Sequence, residues 1–207
     1  MVIKNNVLLG GTIPRSINNL VALRQIGLFN NSLEGEIPDE MFSLPLLRYL
    51  NLSDNFFVGS ISTKIGQLVH LEKLVLDNND FSGHLLPLQF NKTKINVLSV
   101  SGNRFGANDI PNIGDLQQLE YLYLDGNLFQ GHLPPDFGKM AKLKSLSLSY
   151  NNFSGTLPSE LAQLVELRYL NLAANKFLGG IEAVLDCPKL KILHLDDNGF
   201  NMTIDSN

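Results

Sequence analysis

Leu143-Lys144-Ser145-Leu146-Ser147-Leu148-Ser149-Tyr150-Asn151-Asn152-Phe153-Ser154-Gly155-Thr156-Leu157-Pro158 decides the fold. Leu146 and Leu148 alternate with polar residues, the period-2 mark of a strand buried on one face. Asn151 follows three positions on, then Phe153, a glycine and a Leu-Pro step. Working outward, the asparagine returns at Asn31, Asn55, Asn79, Asn103, Asn127 and Asn175 with 24-residue spacing, and at Asn198 after 23. Upstream, Asn6 fits the same frame if one residue is inserted before Gly11. Self-similarity at a period of about 20 to 50 residues fixes the architecture before any single helix or strand is assigned. The expectation is one repeat domain over residues 1–207, of eight to nine coils of about 24 residues.

Each slot has a physical reading. Aliphatic pairs such as Ile26/Leu28, Leu74/Leu76 and Leu122/Leu124 precede the asparagines and form the buried face of one strand per coil. Two positions after the asparagine stand Leu33, then Phe57, Phe81, Phe105, Phe129, Phe153, Phe177 and Phe200. Seven of the twelve phenylalanines share that slot, which predicts a stacked aromatic column inside the coil. A polar residue at an interior corner is costly unless hydrogen-bonded, so the asparagines must serve backbone groups where the chain leaves the strand. Glycines at 35, 59, 83, 131, 155 and 179, with Ile-Pro or Leu-Pro steps, suit a bend followed by an extended step. Stretches such as Ser159 to Leu167 are apolar at helical spacing but short, which predicts a 3₁₀ or helical turn on the convex side.

The string Leu143, Leu146, Leu148, Asn151, Phe153, Gly155, Leu157, Pro158 resembles the plant-specific leucine-rich repeat class. That class occurs in receptor-like kinase and receptor-like protein ectodomains and in polygalacturonase-inhibiting proteins. The resemblance implies a right-handed α/β solenoid with a parallel concave sheet, short 3₁₀ or α segments on the convex side, and an extra short strand near the glycine step. It also implies extracellular or cell-surface recognition. Family members usually carry paired-cysteine caps, whereas Cys187 is alone here, so the expectation is an uncapped segment of a longer array with core edges open at Val2/Ile3 and at Phe200/Met202/Ile204. The start lacks the features of a secretory signal, which leaves a cytoplasmic location open. The coil after Asn79 is irregular: Gln89 and Lys92 stand where leucines are expected and Ala107 replaces the glycine, so a bulge is expected between residues 86 and 97.

Composition narrows the function. A net charge of −4 without blocks of like charge disfavours nucleic acid, and no apolar run is long enough to span a bilayer. His70, His84, His132 and His194 fall at unrelated phases, and no pair has metal-ligand spacing. Nucleophile elbow, phosphate loop and zinc signature are all missing, so neither catalysis, metal nor cofactor is expected.

Recognition on the concave face is expected instead. Side chains six, four, two and one positions before each asparagine face it, and all five tyrosines fall in that set. The expected contacts are Tyr49, Lys73, Asp77, Tyr121, Tyr123, Asp125, Tyr150, Tyr169, Asn171 and His194. The favoured patch is Tyr121, Tyr123, Tyr150 and Tyr169, on three successive strands with Asp125 at their edge, since tyrosine offers area and a polar tip at little entropy cost. Eight strands make a face roughly 35 to 40 Å long, which suits a protein or peptide, with a glycan as the other candidate. Acceptor sequons at Asn30, Asn91, Asn152 and Asn201 lean towards a glycosylated, secreted context, and a fifth at Asn51 is the weakest because it lies on the concave strand. Two roles stay open: a receptor-type recognition domain, and a secreted enzyme inhibitor or scaffold of the same fold.

Overall fold

The computed structural model describes residues 1–85, 90, 92–106 and 113–201. Eight short parallel strands form one sheet: Gln25–Gly27, Tyr49–Asn51, Lys73–Val75, Val97–Ser99, Tyr121–Tyr123, Ser145–Ser147, Tyr169–Asn171 and Ile192–His194. Their register repeats without slippage, Tyr121 lying opposite Val97 on one side and Ser145 on the other. Each coil therefore lays its strand beside the previous one, and the central residue of each (Ile26, Leu50, Leu74 and so on) points into the core fully buried, save the half-buried Leu193 of the last strand.

The asparagines stand in a single column and act across coils. Asn79 Nδ2 donates to the Leu52 carbonyl of the coil before (3.0 Å) and to its own Leu76 and Asp77 carbonyls, while its Oδ1 accepts from the Phe57 N–H. Asn103, Asn127, Asn151, Asn175 and Asn198 repeat the pattern. One amide thus closes a corner in its own coil and in its predecessor, which is why no apolar residue can replace it.

A second set of strands follows the asparagines. Asn6–Gly11, Asn31–Gly35, Phe56–Gly59, Asp80–Gly83 and Arg104–Phe105 form one ribbon, and Gln130–His132, Asn152–Gly155, Lys176–Gly179 and Gly199–Phe200 form another. These are the short strands implied by the family resemblance. The glycines that end them have φ near +80°, as at Gly35 (φ 78), where an added Cβ would also lie 2.9 Å from Thr12 Cγ2. In the first strand the register shifts between Asn6, opposite Asn31, and Gly10, opposite Ser32, at the place where the sequence puts its extra residue.

Between the two ribbons the aromatic column changes as well. Rings stack from Phe57 through Phe81 to Phe105 at 6.0 and 6.2 Å, and again from Phe129 through Phe153 and Phe177 to Phe200. From Phe105 to Phe129 no ring stacks on the next, and the coils are joined there by hydrogen bonds, Leu128 N–H to the Phe105 carbonyl and Phe105 N–H to Asn127 Oδ1. The break coincides with the irregular coil whose Ala107 and Ile110-Pro111 lie outside the described residues, as do Gln89 of the expected bulge and Met202 and Ile204 of the expected open edge. Lys92 is exposed, and the chain is back in register by Lys94, whose N–H reaches the Leu71 carbonyl.

On the convex side run 3₁₀ turns: Arg15–Asn19, Asp39–Ser43, Thr63–Gln67, Ile113–Asp115, Pro135–Lys139 and Ser159–Gln163. Most follow an extended proline, and each of the five-residue turns buries one anchor or more, such as Ile17, Ile65 or Leu161. The shortened 23-residue coil instead forms a four-residue α-helix, Glu182–Leu185. At the outer coils Val2 is 58% exposed and Phe200 half-buried.

Candidate ligand-binding face

Tyr49, Tyr121, Tyr123 and Tyr169 stand on the concave strands, half-buried, with none turned into the core. Tyr121 and Tyr169 flank Ser145, and Tyr123 and Asn171 flank Ser147, because their strands are in direct register. His194 packs edge-on against the Tyr169 ring at 5.9 Å between centroids. Asn51 Nδ2 donates to Tyr49 Oη, and Lys73 is exposed in register with Tyr49.

Tyr150 departs from expectation. It lies three residues past the strand Ser145–Ser147, at a corner, so the four-tyrosine patch does not sit on three strands. Its φ is +53°, and it is 68% exposed. The position just before each ladder asparagine is left-handed throughout: Asn30, Asp54, Asn78, Gly102, Gly126, Tyr150, Ala174 and Asp197. Asparagine, aspartate and glycine tolerate that conformation, whereas a bulky residue there costs about 1 to 2 kcal/mol. Replacing Tyr150 by asparagine should therefore raise unfolding stability by about 1 kcal/mol in urea melts; an unchanged or lower value would remove the strain argument.

Asp77 and Asp125 also carry structural duties that the sequence did not reveal. Asp77 Oδ1 accepts from Ser99 Oγ (2.6 Å) and from the Ser101 N–H (2.7 Å). Two coils later the pattern recurs: Asp125 Oδ1 accepts from Ser147 Oγ, Ser149 Oγ and the Ser149 N–H, and Oδ2 from Ser101 Oγ at 3.2 Å. Asn51 and Asn171 cap the equivalent N–H within their own coils, at Ser53 and Ala173. These side chains close backbone groups that the strand ladder does not reach.

Burial pushes the Asp77 carboxyl above its usual 3.8, outweighing the hydrogen bonds from Ser99 and Ser101 that favour the anion. The unfolded chain then ionises first as pH rises, so the native state loses stability from about pH 3.8 upward through the raised pKa. Asp77→Asn, which keeps an acceptor, should gain on the wild type between acid and neutral pH. Denaturant midpoints measured at both would show it, and a pH-independent gap would refute it.

The middle of the face is a trough. Ser145, Ser147 and Ser149 form a floor buried to 7%, 4% and 4% exposure between Tyr123 and Asp125 on one wall and Tyr169 on the other. The depression has a volume of about 390 Å³. Elsewhere, Cys187 is buried with its thiol pKa pushed up by burial, and Sγ donates to the Leu161 carbonyl. Among the described residues no three acidic, histidine or cysteine side chains cluster as metal ligands, and no helix is long and apolar enough to cross a membrane.

Of the sequon residues, Asn30 is exposed at a left-handed corner with Nδ2 bonded to Asn5 Oδ1, and Asn201 is exposed. Asn152 is half-buried at the start of Asn152–Gly155. Asn51 has both amide groups committed, to Tyr49 and Ser53, and Asn91 lies outside the described residues.

Comparison with known proteins converges on one class. Leucine rich repeat models match residues 117–177 and 46–68. A curated relative, the calmodulin-binding receptor kinase CaMRLK of Arabidopsis thaliana, is 48% identical over 54 residues, which cover 26% of this chain and 8% of the relative. Among solved structures, the Arabidopsis receptor kinase HAESA in complex with the peptide hormone IDA and the co-receptor SERK1 superposes with a TM-score of 0.90 at 28% identity, over 96% of this chain and 34% of that one. The plant peptide hormone receptor RGFR1 in complex with RGF2 gives a TM-score of 0.87 at 30% identity, over 92% and 31%. The chain thus spans about a third of those two receptor chains and less than a tenth of the curated relative.

Proposed function

We propose that this chain, a leucine-rich repeat solenoid of the plant type, is a non-catalytic recognition module that holds a peptide or protein on its concave face as part of an extracellular receptor-like protein. The observation that carries this reading is Tyr150. A bulky, solvent-exposed aromatic occupies a left-handed corner that other coils give mostly to asparagine, aspartate or glycine. Strain kept at an exposed residue signals function. On the strands of its own and the flanking coils, Tyr121 and Tyr169 stand either side of Ser145, with Tyr123 on the same strand as Tyr121. Two of the ectodomains it superposes on were solved with peptide hormones bound, which supports the same class of ligand here.

The test uses peptides selected from a random linear display library on the intact chain. Tyr121→Ala combined with Tyr123→Ala should weaken capture of the selected peptides about 30-fold, the scale of one hot-spot residue, with the melting temperature nearly unchanged. Undiminished capture by the double variant would exclude the tyrosine face as the binding surface.

A further inference from the structure

The serine trough has a chemistry of its own. Ser147 and Ser149 spend their hydroxyl hydrogens on Asp125 Oδ1, and Ser101 spends its hydrogen on Oδ2. What the Asp125 cluster turns towards an incoming group is acceptor capacity, the lone pairs of those hydroxyls and the free side of Asp125 Oδ2, which holds a single 3.2 Å bond; Ser145 Oγ and the Asn171 amide line the same depression. An anion entering here would meet the Asp125 carboxylate, whose serine neighbours have already given it their hydrogens. A group that only donates would find its complement.

The walls sharpen the choice. Tyr123 and Tyr169 rise on strands two apart, about 10 Å from each other, on either side of the serine floor. Tyrosine faces attract cations and stack well on planar ones. At about 390 Å³ the depression lies at the small end of the ligand-pocket range, and it is open along the face, which suits one long side chain of a larger ligand. The surrounding face is anionic, with Asp54, Asp77, Asp125, Asp196 and Asp197 against Lys73. Asp77 repeats the serine-capped carboxylate, yet its neighbours on the strand are Lys73 and Val75, so no aromatic pair faces it and only the coil of Ser145 to Ser149 combines the two features.

We infer that this trough is a specificity pocket for an arginine side chain of the peptide ligand, its stem lying over Ser145 and Ser147 between Tyr123 and Tyr169 and its guanidinium meeting Asp125. This rests on the reading that the concave face binds a peptide, and it adds which residue of that peptide is read, and where. Lysine, a compact and strongly hydrated charge, would use the carboxylate but not the paired rings.

Selection of a random linear-peptide display library on the full chain tests it. Arginine should be enriched several-fold at one fixed position of the selected peptides. Replacing that arginine by citrulline, which keeps the shape and removes the charge, should weaken binding about 10- to 100-fold, the scale of a charge-assisted hydrogen bond. Asp125→Asn keeps an acceptor for the Ser149 N–H but turns donors towards the ligand; it should still select peptides while losing the arginine preference. Should that variant fail to fold, Tyr169→Leu removes the ring while keeping bulk and should also lower the preference. Peptides selected without arginine preference, equal enrichment of lysine, or a preference that survives in the variants would each overturn the pocket while leaving peptide binding in place. Selection of no peptide at all would overturn both.

Discussion

Phe129→Ala is expected to lower the unfolding free energy by about 3 to 5 kcal/mol, the cost of emptying a fully buried aromatic site. Phe129 has no exposed surface and stacks on Phe153 at 6.1 Å with an interplanar angle of 9°. It opens the second run of stacked rings, and no ring stacks on it from the Phe105 side. In a solenoid, stability is close to a sum of unit and nearest-neighbour terms, and a central loss weakens both interfaces of its coil. Phe129→Leu should cost less than half as much, since Leu33 fills the same slot in an earlier coil with 6% exposure. Urea denaturation of the three proteins settles the point; a loss below about 1 kcal/mol for the alanine variant would show the column to be far more compliant than close packing allows.

Asn127→Ala should cost about 3 kcal/mol, and its damage should appear one coil upstream. The amide donates to the carbonyls of Val100, Leu124 and Asp125 and accepts from the Phe105 N–H. Alanine strands a buried donor and buried acceptors, each worth about 1 to 3 kcal/mol if left dry, with partial rescue by water at the new void. Amide hydrogen exchange gives the sharper readout. Protection should fall at Phe105 and persist at Phe129, whose own N–H is held by Asn151. Equal loss at both would mean that the corner works as a block rather than as a directional link.

Most of the architecture was readable because each feature leaves a periodic trace. The 24-residue return of Asn31 to Asn175 reported the corners, and the Phe57 to Phe200 slot reported the column, since a solenoid repeats its environment wherever it repeats its residues. The left-handed corner column also had a signal, Asn30, Asp54, Asn78, Gly102, Gly126 and Asp197, but Tyr150 and Ala174 interrupt it and conceal the rule. The capping roles of Asp77 and Asp125 had none: their partners Ser99, Ser101, Ser147 and Ser149 are 22 or 24 residues away, and serine at those positions reads equally well as plain surface. The break between Phe105 and Phe129 was only hinted at by Ala107, because both phenylalanines keep their place in the period while the rings part.

The asparagine joint has a consequence for descent as well as for stability. From Asn55 to Asn175 each joint between coils is made with the same amide atoms in the same places, so those units are exchangeable. Duplication or unequal recombination in steps of one period leaves all junctions chemically complete, while it reshuffles the outward residues at the strand positions. New binding faces can therefore be sampled without passing through a chain that fails to fold.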